Sequence, residues 1–262
     1  MVIVSEEKPF KIWEGVFSSF AETGADNSAF QGHVWTKKLT ERAARAKALS
    51  GGAAAVARVT ETRDYALPFI AATMARRDAA LRILDFGGGV ATSFFPLVQM
   101  LSADQPLVFV VVENETVCEL GRTLLLGEAR VRFESQMPAD ERFDIVHCGS
   151  SIEYIDDWTG MLGRLSEYRP TYLIFVNLPA ADNKTFVSTQ YYYGSRIPMR
   201  FWNFHDFVLQ VERLRYELVL KSQFRGYWRD AYPEMPTDNF SFEYRARYFS
   251  QLVFRRLGNV DR

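Results

Sequence analysis

Five apolar runs in the middle of the chain have the pattern of buried strands. They lie at residues 82–87, 107–114, 131–135, 143–151 and 171–178. Helix-favouring stretches separate them, at residues 92–102, 115–126 and 157–168. Strands that are apolar on both faces and alternate with helices are typical of a parallel sheet with helices on each side. The pattern therefore predicts an α/β fold for this part of the chain.

The N-terminal part has a different pattern. Residues 1–35 mix aromatic residues with glycine, serine and polar residues, which predicts an irregular arm packed through its aromatic side chains. Residues 36–49 are rich in Ala, Lys, Arg and Glu, and these residue types favour a helix. A second helical stretch at 61–78 contains Pro68, so we expect two shorter pieces there. Residues 1–80 are thus predicted to be an arm and a helical extension.

Aromatic residues are concentrated in the last third, since residues 186–254 hold half of the chain's Phe, Trp and Tyr. We predict a helix at 203–215 and strands at 216–223 and 247–256. An antiparallel hairpin of these two strands would close the sheet. The aromatic-rich segment at about 182–245 is predicted to be a lid or substrate region.

Composition excludes several classes of function. The 262 residues include 31 Lys and Arg against 32 Asp and Glu, a net charge of -1, so we expect no nucleic-acid partner. Cys118 and Cys148 lie in stretches predicted to be buried, which favours reduced thiols and a cytoplasmic location. Apolar runs stay well below the roughly 20 residues of a membrane helix, so we expect no membrane span. We expect no metal, because metal-ligating residue types are not clustered at ligand spacing.

Three consecutive glycines follow the first strand. The stretch RILDFGGG places Asp85 at the strand end and Gly87, Gly88 and Gly89 in a turn that leads into a helix. Glycine permits a tight turn and a close approach of a ligand to the backbone. A dinucleotide fingerprint, G-x-G-x-x-G, would need a further glycine where Thr92 stands. The turn therefore predicts a nucleoside ligand but fits the dinucleotide pattern poorly.

The motifs resemble those of class I S-adenosylmethionine-dependent methyltransferases. The pattern D-x-G-x-G-x-G of that class fits Asp85, Gly87 and Gly89, with Ala91 in place of the last glycine. WEGVFSSF, LDFGGGVATSFF, VVVEN, SSIEYIDD and YLIFVNLP follow in the order of a bacterial methyltransferase family associated with surface-polysaccharide biosynthesis. The resemblance covers about residues 12–228. It implies a Rossmann-like, mostly parallel sheet with a final antiparallel hairpin, and S-adenosylmethionine as the cofactor.

Several residues are candidates for binding the cofactor. Glu113 ends the second strand, where an acid can accept hydrogen bonds from both ribose hydroxyls, and Asn114 follows it. An acid at this position serves NAD equally well. The resemblance implies that Asp85 lies near the amino-acid end of the cofactor and that Ser135, after the third strand, lies near the adenine. Ser150 follows the fourth strand, where the methyl group would lie.

Candidates for catalysis lie near the same strand ends. Ser151, Glu153 and Tyr154 come directly after the fourth strand, and Tyr154 is the candidate for contact with cofactor or acceptor. His147 and His205 are candidates for taking a proton from a hydroxyl acceptor. For His147 the alternative is a buried structural histidine. For His205 the alternative is a surface residue near a helix cap.

The aromatic segment YYYGSRIPMRFWNFHDF has two interpretations. Its rings could stack on a sugar or an apolar acceptor, with Arg196 and Arg200 pairing an anionic group. The alternative is that the rings form the core of a lid or of the final hairpin.

The predicted function is methyl transfer from S-adenosylmethionine to a small-molecule or carbohydrate-like acceptor, in a domain at residues 81–262. Two alternatives remain at this point. One is an NAD(P)-binding Rossmann oxidoreductase. The other is a non-catalytic protein that uses a nucleoside pocket for structure or for binding a partner. The methyl acceptor and the oligomeric state are not predicted.

Overall fold

A computed structural model describes residues 11–49, 65–192, 194–224 and 235–258 of the chain. Its strands are β1 (Trp13–Phe17), β2 (Leu81–Phe86), β3 (Leu107–Val112), β4 (Val131–Glu134), β5 (Ile145–Gly149), β6 (Tyr172–Leu178), β7 (Ala180–Ala181), β8 (Phe186–Tyr192), β9 (Ser195–Asn203), β10 (Tyr216–Phe224) and β11 (Phe249–Arg256). Its helices are α1 (His33–Leu49), α2 (Ala66–Met74), α3 (Phe94–Met100), α4 (Glu115–Leu124), α5 (Trp158–Glu167) and α6 (Phe204–Arg213).

The larger sheet has seven strands in the order β10-β11-β6-β5-β2-β3-β4. Strands β6, β5, β2, β3 and β4 run parallel, and β11 is antiparallel to both β6 and β10. The predicted α/β sheet with its final antiparallel hairpin is therefore confirmed. From β2 the chain builds outward through β3 and β4, then returns to the other side of β2 with β5. Ligands of open α/β sheets bind at such a switch point, beyond the carboxyl ends of the strands.

Helices cover both faces of this sheet, which explains why its strands are nearly continuous apolar runs. On one face, Leu84 of β2 packs in a cluster with Leu162 of α5 and Phe207 of α6. On the other face, Ile83 belongs to a cluster that α2, α3 and α4 complete, including Leu67. Alternate residues of each strand thus enter opposite cores.

A second sheet, with the order β1-β8-β9-β7, was not predicted. Strand β1 pairs with β8, and β8 pairs with β9, in both cases antiparallel. The expectation of an irregular arm at residues 1–35 is wrong for β1, whose Trp13 is fully buried. Gly15 adopts a left-handed φ of 82° and interrupts the strand. Because its pairing partner lies far along the chain, β1 has no strong local signature.

Aromatic side chains form the core beneath the second sheet. Trp13, Phe186, Phe201 and Phe249 are buried together there, with the Phe186 and Phe201 rings stacked at 4.7 Å. Phe201 belongs to the aromatic segment at 191–207, and for this ring the interpretation as part of a core is confirmed. The core joins β1, β8, β9 and the segment around Phe240, so the beginning and the end of the described chain meet in one cluster.

Two further predictions concern the helices. Half of the predicted helical stretch at 61–78 is observed as α2, and Pro68 does not divide this helix because it occupies the first turn, where no backbone donor is needed. Residues 61–64 lie outside the described residues. No helix in the described part of the chain is long and apolar enough to cross a membrane. The division of the chain at residue 80 stays a prediction, although β1 in the first part pairs with β8 in the second.

Candidate functional site

A cavity of about 970 Å³ lies at the carboxyl ends of β2, β3, β5 and β6. Its volume is in the range of small-molecule and cofactor sites. The glycine turn after β2 and the end of β3 form one half, together with α1. The second sheet and the 3₁₀ turn Ile152–Tyr154 form the other half. Hereafter these are the glycine-turn half and the second-sheet half of the cavity.

Asp85 is held beneath the glycine turn. It is 1% exposed, and its Oδ1 lies 2.7 Å from Nδ1 of His147, its register partner on β5. The hydroxyl of Ser93 donates to the other carboxylate oxygen at 2.5 Å. A Cβ at Gly88 would lie 2.3 Å from Oδ2 of Asp85, so only glycine fits over the carboxylate. Asp85 therefore organises the turn, although it also lines the cavity.

The turn adopts backbone angles that favour glycine. Gly87 has a φ of 67°, and a Cβ there would lie 2.4 Å from Cβ of Ser151. Gly89 has a φ of 59°, and Ala91 has a φ of 60° although it carries a side chain. Ala91 stands where the methyltransferase pattern has its last glycine. The left-handed conformation of that position is kept despite its cost for an L-residue.

Glu113 follows β3 and faces the glycine turn. Its carboxylate accepts hydrogen bonds from the backbone N–H of Gly89 at 3.2 Å and of Asn114 at 3.0 Å. Burial raises the pKa of the Glu113 carboxyl above its usual value, and these two N–H groups lower it by less. The Asn114 side chain caps α4 by accepting from the Val117 N–H at 3.1 Å. The ends of β2 and β3 are thus tied together at the cavity wall.

Two serines mark other parts of the wall. Ser135 follows β4, is exposed, and lines the glycine-turn half of the cavity. Ser150 follows β5 with a φ of 54°, and the side-chain amide of Asn177 donates to its hydroxyl. Asn177, in β6, has a φ of 55°. Two neighbouring strands therefore carry left-handed residues that are not glycine at the cavity, a type of strain that clusters at functional sites.

Comparisons with known proteins give a clear result for the fold. No family model matches the chain, and no curated protein matches its sequence. A Listeria monocytogenes protein assigned as an S-adenosylmethionine-dependent methyltransferase superposes with a TM-score of 0.51 at 11% identity, over 74% of this chain and 100% of its own. The magnesium protoporphyrin IX methyltransferase of Synechocystis PCC 6803, with bound S-adenosylhomocysteine, gives 0.51 at 14% identity, over 75% and 83%.

A third match covers more of the chain. It comes from the complex between the Haloferax volcanii Trm112 methyltransferase activator and an assigned methyltransferase, with a TM-score of 0.51 at 12% identity, over 87% of this chain and 99% of its own. All three of these solved structures contain assigned methyltransferases. The chain has the class I methyltransferase fold.

In this methyltransferase fold, Tyr154 joins the arm to the second sheet. Its hydroxyl donates to Oε1 of Gln190 on β8 at 2.9 Å, and its carbonyl accepts from Asn27 at 2.9 Å. Its ring meets that of Phe30 at 5.0 Å. Burial raises the pKa of the Tyr154 hydroxyl well above its usual value. Tyr154 lines the cavity as a neutral hydrogen-bonding group.

The structure separates the two catalytic histidine candidates. His147 is 2% exposed and lines the cavity beside Asp85. His205 is exposed in the first turn of α6 and is not among the residues that line the cavity. Arg196 lies 5.7 Å from the Tyr191 ring centroid. Arg200 donates to the carbonyl of Asp156 at 3.2 Å, and neither arginine lines the cavity.

Glu153 has an environment that its sequence position does not reveal. It is 1% exposed, lines the cavity, and has no hydrogen-bond partner for either carboxylate oxygen among the described residues. Burial raises its pKa to about 8, while the backbone N–H groups of Glu153 and Ser151 lower it by less. Its position directly after a buried strand was the available signal, but an acid at a strand end is usually solvated.

Other lining residues were missed because they come from elements distant in sequence. Among them are Trp35, Leu39 and Arg42 from α1, and Trp13, Gln190 and Met199 from the second sheet. Leu39 packs against Val90, next to the glycine turn. Nothing in the local pattern of α1 or β1 indicates that they reach the cavity.

Proposed function

We propose that the protein transfers the methyl group of S-adenosylmethionine to a small-molecule or carbohydrate-like acceptor. The observation that carries this proposal is the joint placement of the glycine turn and Glu113 at the switch point of the sheet, on one wall of a large cavity. The second half of that cavity supplies space for an acceptor.

The residues of the glycine-turn half fit the cofactor. The Glu113 carboxylate accepts two backbone N–H groups and the Asn114 side-chain amide, and a carboxylate can accept about four hydrogen bonds, so capacity remains for a ribose hydroxyl. Asn114 and Ser135 stand beside it as further polar groups. Asp85 contributes by holding the turn, since His147 and Ser93 contact its two oxygens.

S-adenosylmethionine, when bound, supplies a methyl group that its sulfonium already activates. The protein then has to align the acceptor and exclude water. Trp13, Met199, Phe224 and Phe249 line the second-sheet half and are suited to both tasks, because their apolar surfaces displace water. Phe30, Trp35 and Tyr192 line the cavity too and are only partly buried. Aromatic faces of this kind stack on sugar rings, which agrees with the resemblance to proteins associated with surface-polysaccharide biosynthesis.

For a hydroxyl acceptor, a group in the cavity must receive the proton. His147 lines the cavity, is held by Asp85, and remains the proposed residue for this step. Tyr154 also lines the cavity, but burial raises its pKa well above the usual value, so its neutral hydroxyl can hydrogen-bond to the acceptor without taking the proton. His205 is exposed outside the lining, so the proposal does not use it. A cytoplasmic location, with Cys118 and Cys148 both free, stays a prediction.

Fluorescence titration tests the proposal, because Trp13 and Trp35 line the cavity. We expect S-adenosylhomocysteine to change tryptophan fluorescence saturably and NADH to have no such effect. Glu113→Ala should weaken S-adenosylhomocysteine binding about tenfold or more, since ribose hydroxyls lose a charged acceptor. Glu167→Ala, at an exposed site on α5, is the matched control and should leave binding unchanged.

The same titration distinguishes the alternative cofactor. Tight NADH binding without S-adenosylhomocysteine binding would overturn the proposal in favour of an oxidoreductase. Unchanged S-adenosylhomocysteine affinity in Glu113→Ala would show that the ribose is not held at the end of β3.

A further inference from the structure

Glu153 is a buried carboxyl that the protein itself leaves without a partner. It lies on the 3₁₀ turn after β5, is 1% exposed, and lines the cavity. Neither of its oxygens has a hydrogen-bond partner within the described ranges. A buried, unpaired carboxyl costs several kcal/mol in principle, so proteins keep one chiefly where a ligand completes it. The missing partner is a hydrogen-bond donor in the cavity.

No cation of the described chain neutralises this carboxyl. The groups that set its pKa are its own burial and two backbone N–H groups, without any Lys or Arg. Two neighbouring polar groups are paired with other residues, since Asp85 of β2 contacts His147 and Tyr154 donates to Gln190. Cys148 of β5 is a neutral thiol whose pKa is raised well above its usual value by burial, and further by Asp85 and Glu153.

Two other titratable groups face this part of the cavity from α1 and β8. Arg42 and Tyr192 both act on the Tyr154 hydroxyl, and Tyr192 raises its pKa while Arg42 lowers it. Neither is among the groups that shift the pKa of Glu153. The Glu153 carboxyl can therefore pair with a positive charge that a ligand carries.

The neighbouring surface is suited to a cation. Tyr154, adjacent to Glu153, packs against the cluster that contains Trp13, Met199 and Phe249. All three line the cavity, and the Trp13 and Phe249 rings lie 6.0 Å apart. Aromatic faces attract ammonium groups, and most strongly where water is excluded. Glu153 and these aromatic residues line the same cavity, a combination that suits an amine cation.

We propose that the Glu153 carboxylate binds a protonated amine of the methyl acceptor, in the second-sheet half of the cavity. The inference rests on the proposed function and specifies its acceptor as a cationic amine. An uncharged acceptor supplies no counter-charge for the ionised form of this buried carboxyl. A cationic one supplies both N–H donors and the charge that the site lacks.

The ionisation of Glu153 gives this binding a distinctive pH dependence. With a pKa of about 8, the carboxyl is mostly protonated at pH 7 in the unliganded protein, and an ammonium group binds its ionised form. Amine affinity should therefore rise about eightfold between pH 7 and pH 8.5, as the ionised fraction grows. A neutral alcohol of the same shape should show no such rise.

The experiment compares 2-phenylethylamine with 2-phenylethanol, titrated by tryptophan fluorescence into protein saturated with S-adenosylhomocysteine. We expect the amine to bind about tenfold or more tightly than the alcohol at pH 8.5. Glu153→Gln should remove both the preference and the pH dependence, while S-adenosylhomocysteine still binds. Glu153→Asp should restore part of the preference. The surface control Glu167→Gln should behave as the unmodified protein.

Each other outcome has a definite meaning. Equal binding of amine and alcohol, or amine binding that Glu153→Gln leaves unchanged, overturns the inference. A loss of S-adenosylmethionine affinity in Glu153→Gln without a loss of S-adenosylhomocysteine affinity also overturns it, because the carboxylate then serves the sulfonium. If S-adenosylhomocysteine fails to bind while the amine still binds through Glu153, the proposed function falls and the cation site stands.

Discussion

At the scale of single residues, the buried acids of the cavity have different environments. Asp85 contacts His147 and Ser93, and Glu113 accepts backbone N–H groups. Among the described residues neither oxygen of Glu153 has a hydrogen-bond partner, although two backbone N–H groups lie close enough to lower its pKa slightly. Sequence position predicted that the first two lie at the ends of their strands, because strand ends and spacing are local features. The isolation of Glu153 depends on what surrounds it in space, so no local pattern could indicate it.

Glu153 should make stability depend on pH. Its pKa of about 8 in the folded protein lies above the value of 4.5 expected in the unfolded chain. Its contribution to the free energy of unfolding is therefore complete below pH 4.5 and is lost as the pH rises toward 8. The glutamine of Glu153→Gln does not ionise, so the variant does not lose stability in this way as the pH rises. We expect the variant to gain stability relative to the parent between pH 5 and pH 8, by about 3 kcal/mol at most.

Urea denaturation at pH 5 and pH 8 measures this difference, with Glu167→Gln as the control. A constant difference between Glu153→Gln and the parent at both pH values would contradict a raised pKa for Glu153.

At the scale of elements, apolar patterning predicted the larger sheet and missed the second. Strands β2 to β6 are covered on both faces, so their apolar runs stand out in the sequence. Strand β8 contains Ser188, Thr189 and Gln190, all buried, and β1 contains Gly15. About 170 residues of chain separate these two strands. A pairing between segments so far apart produces no repeating pattern in the local sequence.

Within the glycine turn, two substitutions should differ in their effect on stability. Gly87→Ala introduces a Cβ 2.4 Å from Ser151 at a φ of 67°, and should cost about 2 kcal/mol or more of unfolding free energy. Ala91→Gly relieves a left-handed alanine at a φ of 60° but removes a buried methyl. These effects offset each other, so its stability should stay within about 1 kcal/mol of the parent.

Chemical denaturation of both variants tests the turn. If both variants lose a similar amount of unfolding free energy, the close contact with Ser151 does not explain the cost of Gly87→Ala.

At the scale of the whole molecule, the second sheet is attached through Trp13. This residue is fully buried, its indole donates to Sδ of Met199 at 3.1 Å, and its ring meets those of Phe201 and Phe249 at 5.6 and 6.0 Å. Trp13 also lines the cavity. The arm therefore contributes to the core and to the wall of the site at once.

Trp13→Ala should destabilise the protein by about 3 to 5 kcal/mol, because it removes a large side chain from a close-packed cluster. Trp35→Ala is the matched control, since Trp35 lines the same cavity but is only half-buried, and should cost less. Thermal and urea unfolding measure both. A cost below about 1 kcal/mol for Trp13→Ala would show that β1 adds little to the fold.

The two walls of the cavity rest on separate cores. One wall belongs to the parallel sheet with its helices, and the other belongs to the aromatic cluster under β1, β8 and β9. Phe224 packs against both clusters. Substitutions in cores that share few contacts are close to additive. In evolution, the second-sheet wall could therefore be reshaped for a new molecule while the glycine turn and the end of β3 stayed as they are.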